Sequence, residues 1–245
     1  MANKLPLAKH LIRSVLVTGT NRGIGLELVR HFAKERRAGQ DIKIISCSRT
    51  ISPELEELLE DVYHFELELT RPADVASVAG VASNILEDRG LNVLINSAGI
   101  LRMGQGVTGC SHEELKEVLD TNLIGVHSMT AAFHPLLKQA APSAGVFNIS
   151  AEIASIAGTN IANKTAYRIS KAGLNMLTKI TAAEFRRDKI MALAIHPGWV
   201  QTDLGGPKAP LTPEQCVQDL VECIENCGRK DSGKFVKKGL EEIPY

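Results

Sequence analysis

The chain has 245 residues, 44% of them hydrophobic, which is enough to bury one substantial core in one unit spanning 1–245. Its 28 lysines and arginines equal its 28 aspartates and glutamates, so no overall field draws it to nucleic acid or to an anionic membrane; at 4%, aromatics offer no platform for stacking bases. A small neutral or anionic ligand is the partner these figures favour, and five scattered cysteines without paired ligand spacing read as reduced thiols of a cytoplasmic protein.

From the start of the chain, MANKLPLAKHLIR has no continuous apolar stretch of the kind a signal peptide needs, and no later run approaches membrane-spanning length. Strand-like runs then follow in the order SVLVT, IKIIS, VYHFELEL, NVLIN, GVFNIS and MALAIHP. Between them lie segments of helical period such as IGLELVRHFAKERR and ADVASVAGVASNILED. Strand and helix in strict alternation predict an α/β fold, a doubly wound parallel sheet of the Rossmann type with about seven strands and helices on both faces. After AIHPGW the regularity lapses into VQTDLGGPKAPLTPEQ, and residues from about 203 to 215 read as a binding lid at a strand's C-terminal edge. One more helix and a last short strand near GKFVKK complete the chain.

The first strand runs into the first helix through Gly19, Gly23 and Gly25. One glycine permits a tight turn, another lets backbone approach a pyrophosphate, and a third lets helix and strand pack, while the helix N-terminus aims free N–H groups at the anion. Glycine also serves ordinary left-handed corners, but a place in the first strand–helix unit favours the phosphate reading. The pattern TGxxxGIG, Thr18 to Gly25 with Asn21, Arg22 and Ile24 inside it, resembles the cofactor loop of the short-chain dehydrogenase/reductase family. The second strand ends in Ser48 and Arg49, where an acidic residue would bond a ribose 2′-hydroxyl and repel a 2′-phosphate. Arg22 and Arg49 converging on one phosphate would form a charge-assisted clamp, which predicts NADP(H); the alternative is two solvated surface arginines.

Tyr167 and Lys171 are four apart on a segment of helical period, so their side chains share a face. A free phenol titrates near about 10, and a neighbouring ammonium is expected to lower that value and make the tyrosine a usable acid. An isolated YxxxK is common on amphipathic helices; this one follows the fifth strand, in the family's order. The resemblance implies Tyr167 as proton donor to a substrate carbonyl, and Lys171 as modifier of its pKa and as ribose ligand. It implies that Asn122, in VLDTNLIG, holds a water of a proton relay, although a buried asparagine at a helix kink would look the same. NSAG, comprising Asn96, Ser97, Ala98 and Gly99, is similar to the family's NNAG, with a serine of shorter reach in second place. HPGWVQT resembles the segment that embraces the nicotinamide through Pro197, Gly198, Val200 and Thr202, and Glu68 with Leu69 falls at the adenine side. NRGIGLELV, AYRISKAGLNM, HPGWVQTDLGG and the ending IPY look most like the sniffer type of carbonyl reductase. That subgroup implies NADPH-dependent reduction of a small carbonyl compound. Trp199 and Met103 are candidate walls for it, and a homodimer through the helices bearing Asn122 and Tyr167 is the expected assembly.

One position departs from the pattern. In the subgroup the fifth strand ends in two serines, the second of which bonds the substrate oxygen; here Asn148, Ile149 and Ser150 are followed by Ala151. Losing one such donor costs about a hundredfold or more in turnover. Strand alternation points Ser150 to the other face, leaving Ser155 or a water as the expected substitute. The rival reading is a non-catalytic NADP(H)-binding protein with a regulatory or scaffold role.

Overall fold

The computed structural model describes residues 12–103 and 106–245; the N-terminal stretch read above as lacking a signal peptide lies largely outside them. Eight strands form one sheet: β1 (Ser14–Thr18), β2 (Lys43–Ser48), β3 (Tyr63–Glu66), β4 (Val93–Asn96), β5 (Gly145–Ile149), β6 (Met191–Ile195), β7 (Phe235–Lys237) and β8 (Glu241–Glu242). Their spatial order is β3-β2-β1-β4-β5-β6-β7-β8, parallel from β3 through β7. The chain winds outward from β1 to β3, then returns to place β4 on the other side of β1. A crevice opens above that reversal, at the C-terminal ends of the strands.

Seven strands were expected and the eighth corrects that number. GKFVKKGLEEI looked like one strand with a tail, but Gly239 at φ 71 and Leu240 at φ 61 reverse the chain, so β8 pairs with β7 antiparallel. The third strand is also shorter than its apolar run, leaving Glu68 and Leu69 in the loop beyond it.

The helices are α1 (Gly23–Arg37), α2 (Pro53–Glu56), α3 (Pro72–Leu86), α4 (His112–Leu119), α5 (Gly125–Ala140), α6 (Thr165–Phe185) and α7 (Pro213–Asn226). Alternate residues of each central strand feed opposite layers. Val15 and Val17 of β1 pack with Leu28 and Phe32 of α1 and Leu220 of α7; Leu16 packs with Val78 of α3 and Phe133 of α5. Burial on both faces is why these strands read as unbroken apolar runs.

A polar chain crosses this core directly under the crevice. Asn96 Nδ2 donates to Asn148 Oδ1 at 2.8 Å, Asn148 Nδ2 to Thr178 Oγ1 at 2.8 Å, and Thr178 Oγ1 to Leu174 O at 2.8 Å. The chain ties β4, β5 and α6 at a fixed register, and breaking it strands buried donors. Asn148→Ala is expected to cost about 2 kcal/mol, lowering Tm by roughly 4 to 8 °C in a thermal melt.

Candidate active site

The crevice has a volume of about 1290 Å³ and runs from the turn after β1 to the N-terminal part of α6. At its first end Gly19 lies at φ +75, and a Cβ there would stand 2.7 Å from Ala98 Cα; a Cβ on Gly25 would stand 2.2 Å from Gly19 O. Only glycine lets the first turn of α1 pack so closely on the loop. Thr18, whose side chain the sequence reading left without a role, accepts from Ser97 N at 3.1 Å and Ala98 N at 3.2 Å. It thereby joins the glycine turn to the NSAG segment.

Ser52, Ser111 and Thr212 cap α2, α4 and α7 with their side chains; α1, like α3, α5 and α6, has no side-chain cap, and it has no acidic residue in its first turn. An uncapped N-terminus of a 15-residue helix, opening on a glycine cradle, is suited to a phosphate. Asn21 and Ile24 flank the cradle, and Leu69, Gly99, Pro197, Gly198 and Val200 line the crevice beyond it. Two predicted residues do not line it: Asn96 is 1% exposed and Asn122 fully buried, both behind the wall.

The arginines are not turned on one common point. Arg22 Nη1 bonds Asp203 Oδ2 at 2.7 Å, and Arg49 Nη1 lies 3.9 Å from Glu68 Oε2. Each guanidinium has found the nearest carboxylate, as exposed ion pairs do at small gain. Asp203 belongs to the turn after Thr202, whose Oγ1 accepts from Gly205 N at 3.1 Å. The segment expected as a lid to 215 ends at 212, because Thr212 and Gln215 form a reciprocal cap that starts α7 at Pro213. Its return is tied to the HPGWVQT segment that follows β6 by Gln201 N donating to Leu211 O at 2.8 Å. Trp199, exposed on the crevice wall, donates Nε1 to Gly205 O at 2.7 Å; Met103 lines the same end.

At the other end Tyr167 and Lys171 share the buried face of α6, with Lys171 Nζ 5.8 Å from the Tyr167 ring centroid. The Lys171 ammonium donates to Ile149 O at 2.7 Å. Burial pulls Lys171 down to about 8 and pushes Tyr167 up to about 12. The expected lowering of the phenol is therefore overturned in the protein alone: loss of water around the phenolate outweighs an ammonium that faces a carbonyl.

Asn122 sits in a π-helical turn, Asp120–Ile124, between α4 and α5. Its Oδ1 accepts from Ile100 N at 2.8 Å, and its Nδ2 donates to Ile100 O at 2.9 Å and Ser170 Oγ at 3.0 Å. The side chain clamps the NSAG loop to α6. Ser150 Oγ faces away, donating to Asn175 Oδ1 at 2.7 Å. The Ser155 substitute is also overturned: its Oγ accepts from Gly158 N at 3.0 Å within its own turn, outside the crevice. Facing the site beside Ala151 instead are Glu152 and His196, the latter 3.8 Å from the Glu152 carboxylate, with burial pulling its pKa down. No sequence pattern singled out either residue.

The chain belongs to the short chain dehydrogenase family of oxidoreductases, whose model matches residues 13–210. It is 30% identical over 155 residues to the C-signal protein of Myxococcus xanthus, a match covering 63% of this chain and 93% of that one. It is 36% identical over 204 residues to the short chain dehydrogenase tazN of Aspergillus terreus, covering 80% of this chain and 43% of that protein. Among solved structures, the carbonyl reductase Sniffer of D. melanogaster superposes with a TM-score of 0.91 at 31% identity, covering 96% of this chain and 100% of that one. An NADPH-bound carbonyl reductase from chicken fatty liver gives 0.88 at 32% identity, covering 100% of both chains.

The cradle supplies a direct test. Gly25→Ala forces a Cβ against Gly19 O and is expected to cost about 1–3 kcal/mol, lowering Tm by roughly 2 to 12 °C. An unchanged melt would mean the turn is not packed as described.

Proposed function

We propose that the chain is an NADPH-dependent reductase of small carbonyl compounds, namely aldehydes and ketones, quinones included. The observation that carries this reading is the buried Tyr167–Lys171 pair on the floor of a crevice whose far end is an uncapped helix N-terminus beside two arginines. The likeness to an NADPH-bound carbonyl reductase supports it. Gly19, Gly23 and Gly25 with the N–H groups of α1 would hold the pyrophosphate, Arg22 and Arg49 the 2′-phosphate, and Glu68 and Leu69 would flank the adenine. Asn96 braces the NSAG loop from behind, and Lys171 would hold the ribose. Pro197, Gly198, Val200 and Thr202 would border the nicotinamide. NADPH, when bound, supplies a hydride to the carbonyl carbon.

The chain's own part is the proton. Tyr167 donates from Oη to the carbonyl oxygen, giving the alcohol, and its raised pKa keeps that proton in place throughout the neutral range. Lys171, charged below about 8, stabilises the phenolate left behind. Reduction therefore needs both groups protonated, a condition met at neutral pH and lost as pH rises through the lysine's value. NADPH oxidation with an aromatic aldehyde is expected to be flat from about pH 6 to 7.5 and to fall above about 8, approaching tenfold per unit. A rate rising steadily to pH 10 would contradict these roles. Screening aldehydes, diketones and quinones with NADPH and NADH in parallel tests the reaction itself; no turnover with any of them defeats it.

A second reading, a non-catalytic NADP(H)-binding protein, is favoured by one observation: Ala151 offers no donor, and Ser150 and Ser155 both bond elsewhere. Ala151→Ser separates the two. A gain of about a hundredfold identifies a reductase short of one donor, whereas no turnover before or after favours the binding protein. Ser155→Ala is expected to leave turnover unchanged.

A homodimer is proposed through α6 and the π-helical turn before α5, where Ile169, Met176, Ile180 and Ile124 are exposed. No helix among the described residues is long and apolar enough to cross a membrane, and all five cysteines are free, in keeping with a cytoplasmic site of action.

A further inference from the structure

The two loops that flank the phosphate end of the crevice touch each other. A Cβ on Gly23 would stand 3.2 Å from Thr202 Cγ2, and the residue before that glycine, Arg22, forms the 2.7 Å ion pair with the residue after that threonine, Asp203. Asp203 is fixed from its own side. Gly206 N donates to Thr202 O at 2.7 Å, and Trp199 closes the turn through Gly205 O. The carboxylate is thus presented to Arg22 by a folded turn. Arg49 is held more loosely, 3.9 Å from Glu68 Oε2, while the other oxygen, Oε1, accepts from Thr70 N at 3.2 Å and Thr70 Oγ1 at 3.0 Å.

We propose that Asp203 is a positioning residue that sets how strongly the crevice discriminates a 2′-phosphorylated dinucleotide, by holding the Arg22 guanidinium until a 2′-phosphate competes for it. This rests on the NADPH reading above. A phosphate dianion brings more charge and more acceptor oxygens to a guanidinium than one carboxylate does, so it displaces Asp203. A dinucleotide without the 2′-phosphate offers no competitor and leaves the pair closed. Displacement leaves the 202–206 turn with its own hydrogen bonds but removes its ion pair to the glycine loop, so the charge environment beside Trp199 changes as the phosphate is read.

The test uses 2′,5′-ADP and 5′-ADP as probes, with Kd from calorimetry on the intact chain. Exposed ion pairs are weak, so Asp203→Asn is expected to tighten 2′,5′-ADP by about two- to fivefold and to leave 5′-ADP unchanged. In an Arg22→Met background the same substitution is expected to change neither; with Arg22 present, Asp203→Glu is expected to keep the wild-type ratio. Trp199, the only tryptophan, gives a second readout. Its emission should shift on adding 2′,5′-ADP but not 5′-ADP, and Asp203→Asn alone should move it the same way. If the wild type prefers 2′,5′-ADP but Asp203→Asn alters both probes equally or neither, Asp203 has no such role and the NADPH reading stands. If the wild type binds both probes alike, the NADPH reading falls and this inference with it.

Discussion

A lysine ammonium kept almost wholly from water is costly, and the geometry of the site follows from where that cost is offset. Lys171 is 4% exposed and meets one carbonyl, Ile149 O, at the last residue of β5. For that bond to exist, α6 must lie at a set depth against the strand ends, and the Asn96–Asn148–Thr178 chain holds it there. The same depth places Tyr167 on the crevice floor. Gly99 passes directly beside both groups: a Cβ there would make ordinary contact, 3.5 Å from the ammonium and 3.4 Å from Asn122 Oδ1. The clamp of Asn122 on Ile100 and Ser170 then secures the loop that passes over the lysine.

The opposite end of the crevice depends on a different restraint, the refusal of α1 to cap itself. Arg22, at the capping position, is extended at φ −165 and contributes no side-chain acceptor, so the first N–H groups of the helix stay available. The strand reversal between β1 and β4 lays this donor set and the lysine–tyrosine pair along one groove. An anion can be held at one end while a proton is kept at the other, which is the division of labour a dinucleotide-dependent reduction needs.

What the sequence made legible was chemistry carried by near neighbours in the chain. The glycine turn and the tyrosine four residues before a lysine are local patterns, and the strands of both apolar faces declare themselves as unbroken runs. Pairings across the fold were hidden. Arg22 and Asp203 are 181 residues apart, and Arg49 gives no hint of Glu68. Asn122 could be recognised as important, but its partners are a backbone segment and a serine on another helix. Ser155 lay at plausible chain distance, yet Gly158 allows a tight turn that takes its hydroxyl. The direction of the phenol's pKa was misjudged for a related reason: residue spacing shows which charge is near but not how much water has been removed. At β8 two successive residues at positive φ, Gly239 and Leu240, fold the end of the chain into a hairpin.

The most direct measurement is the titration of the site itself. With only three tyrosines in the chain, selective ¹³Cζ labelling resolves Tyr167, assigned by its loss in Tyr167→Phe, and ¹⁵Nζ labelling follows Lys171. Burial as described should hold the Tyr167 phenol protonated well past the ordinary value of about 10, with Lys171 titrating near 8. A Tyr167 phenol that loses its proton in the neutral range in the protein alone, or a Lys171 that titrates like a surface lysine, would contradict the account.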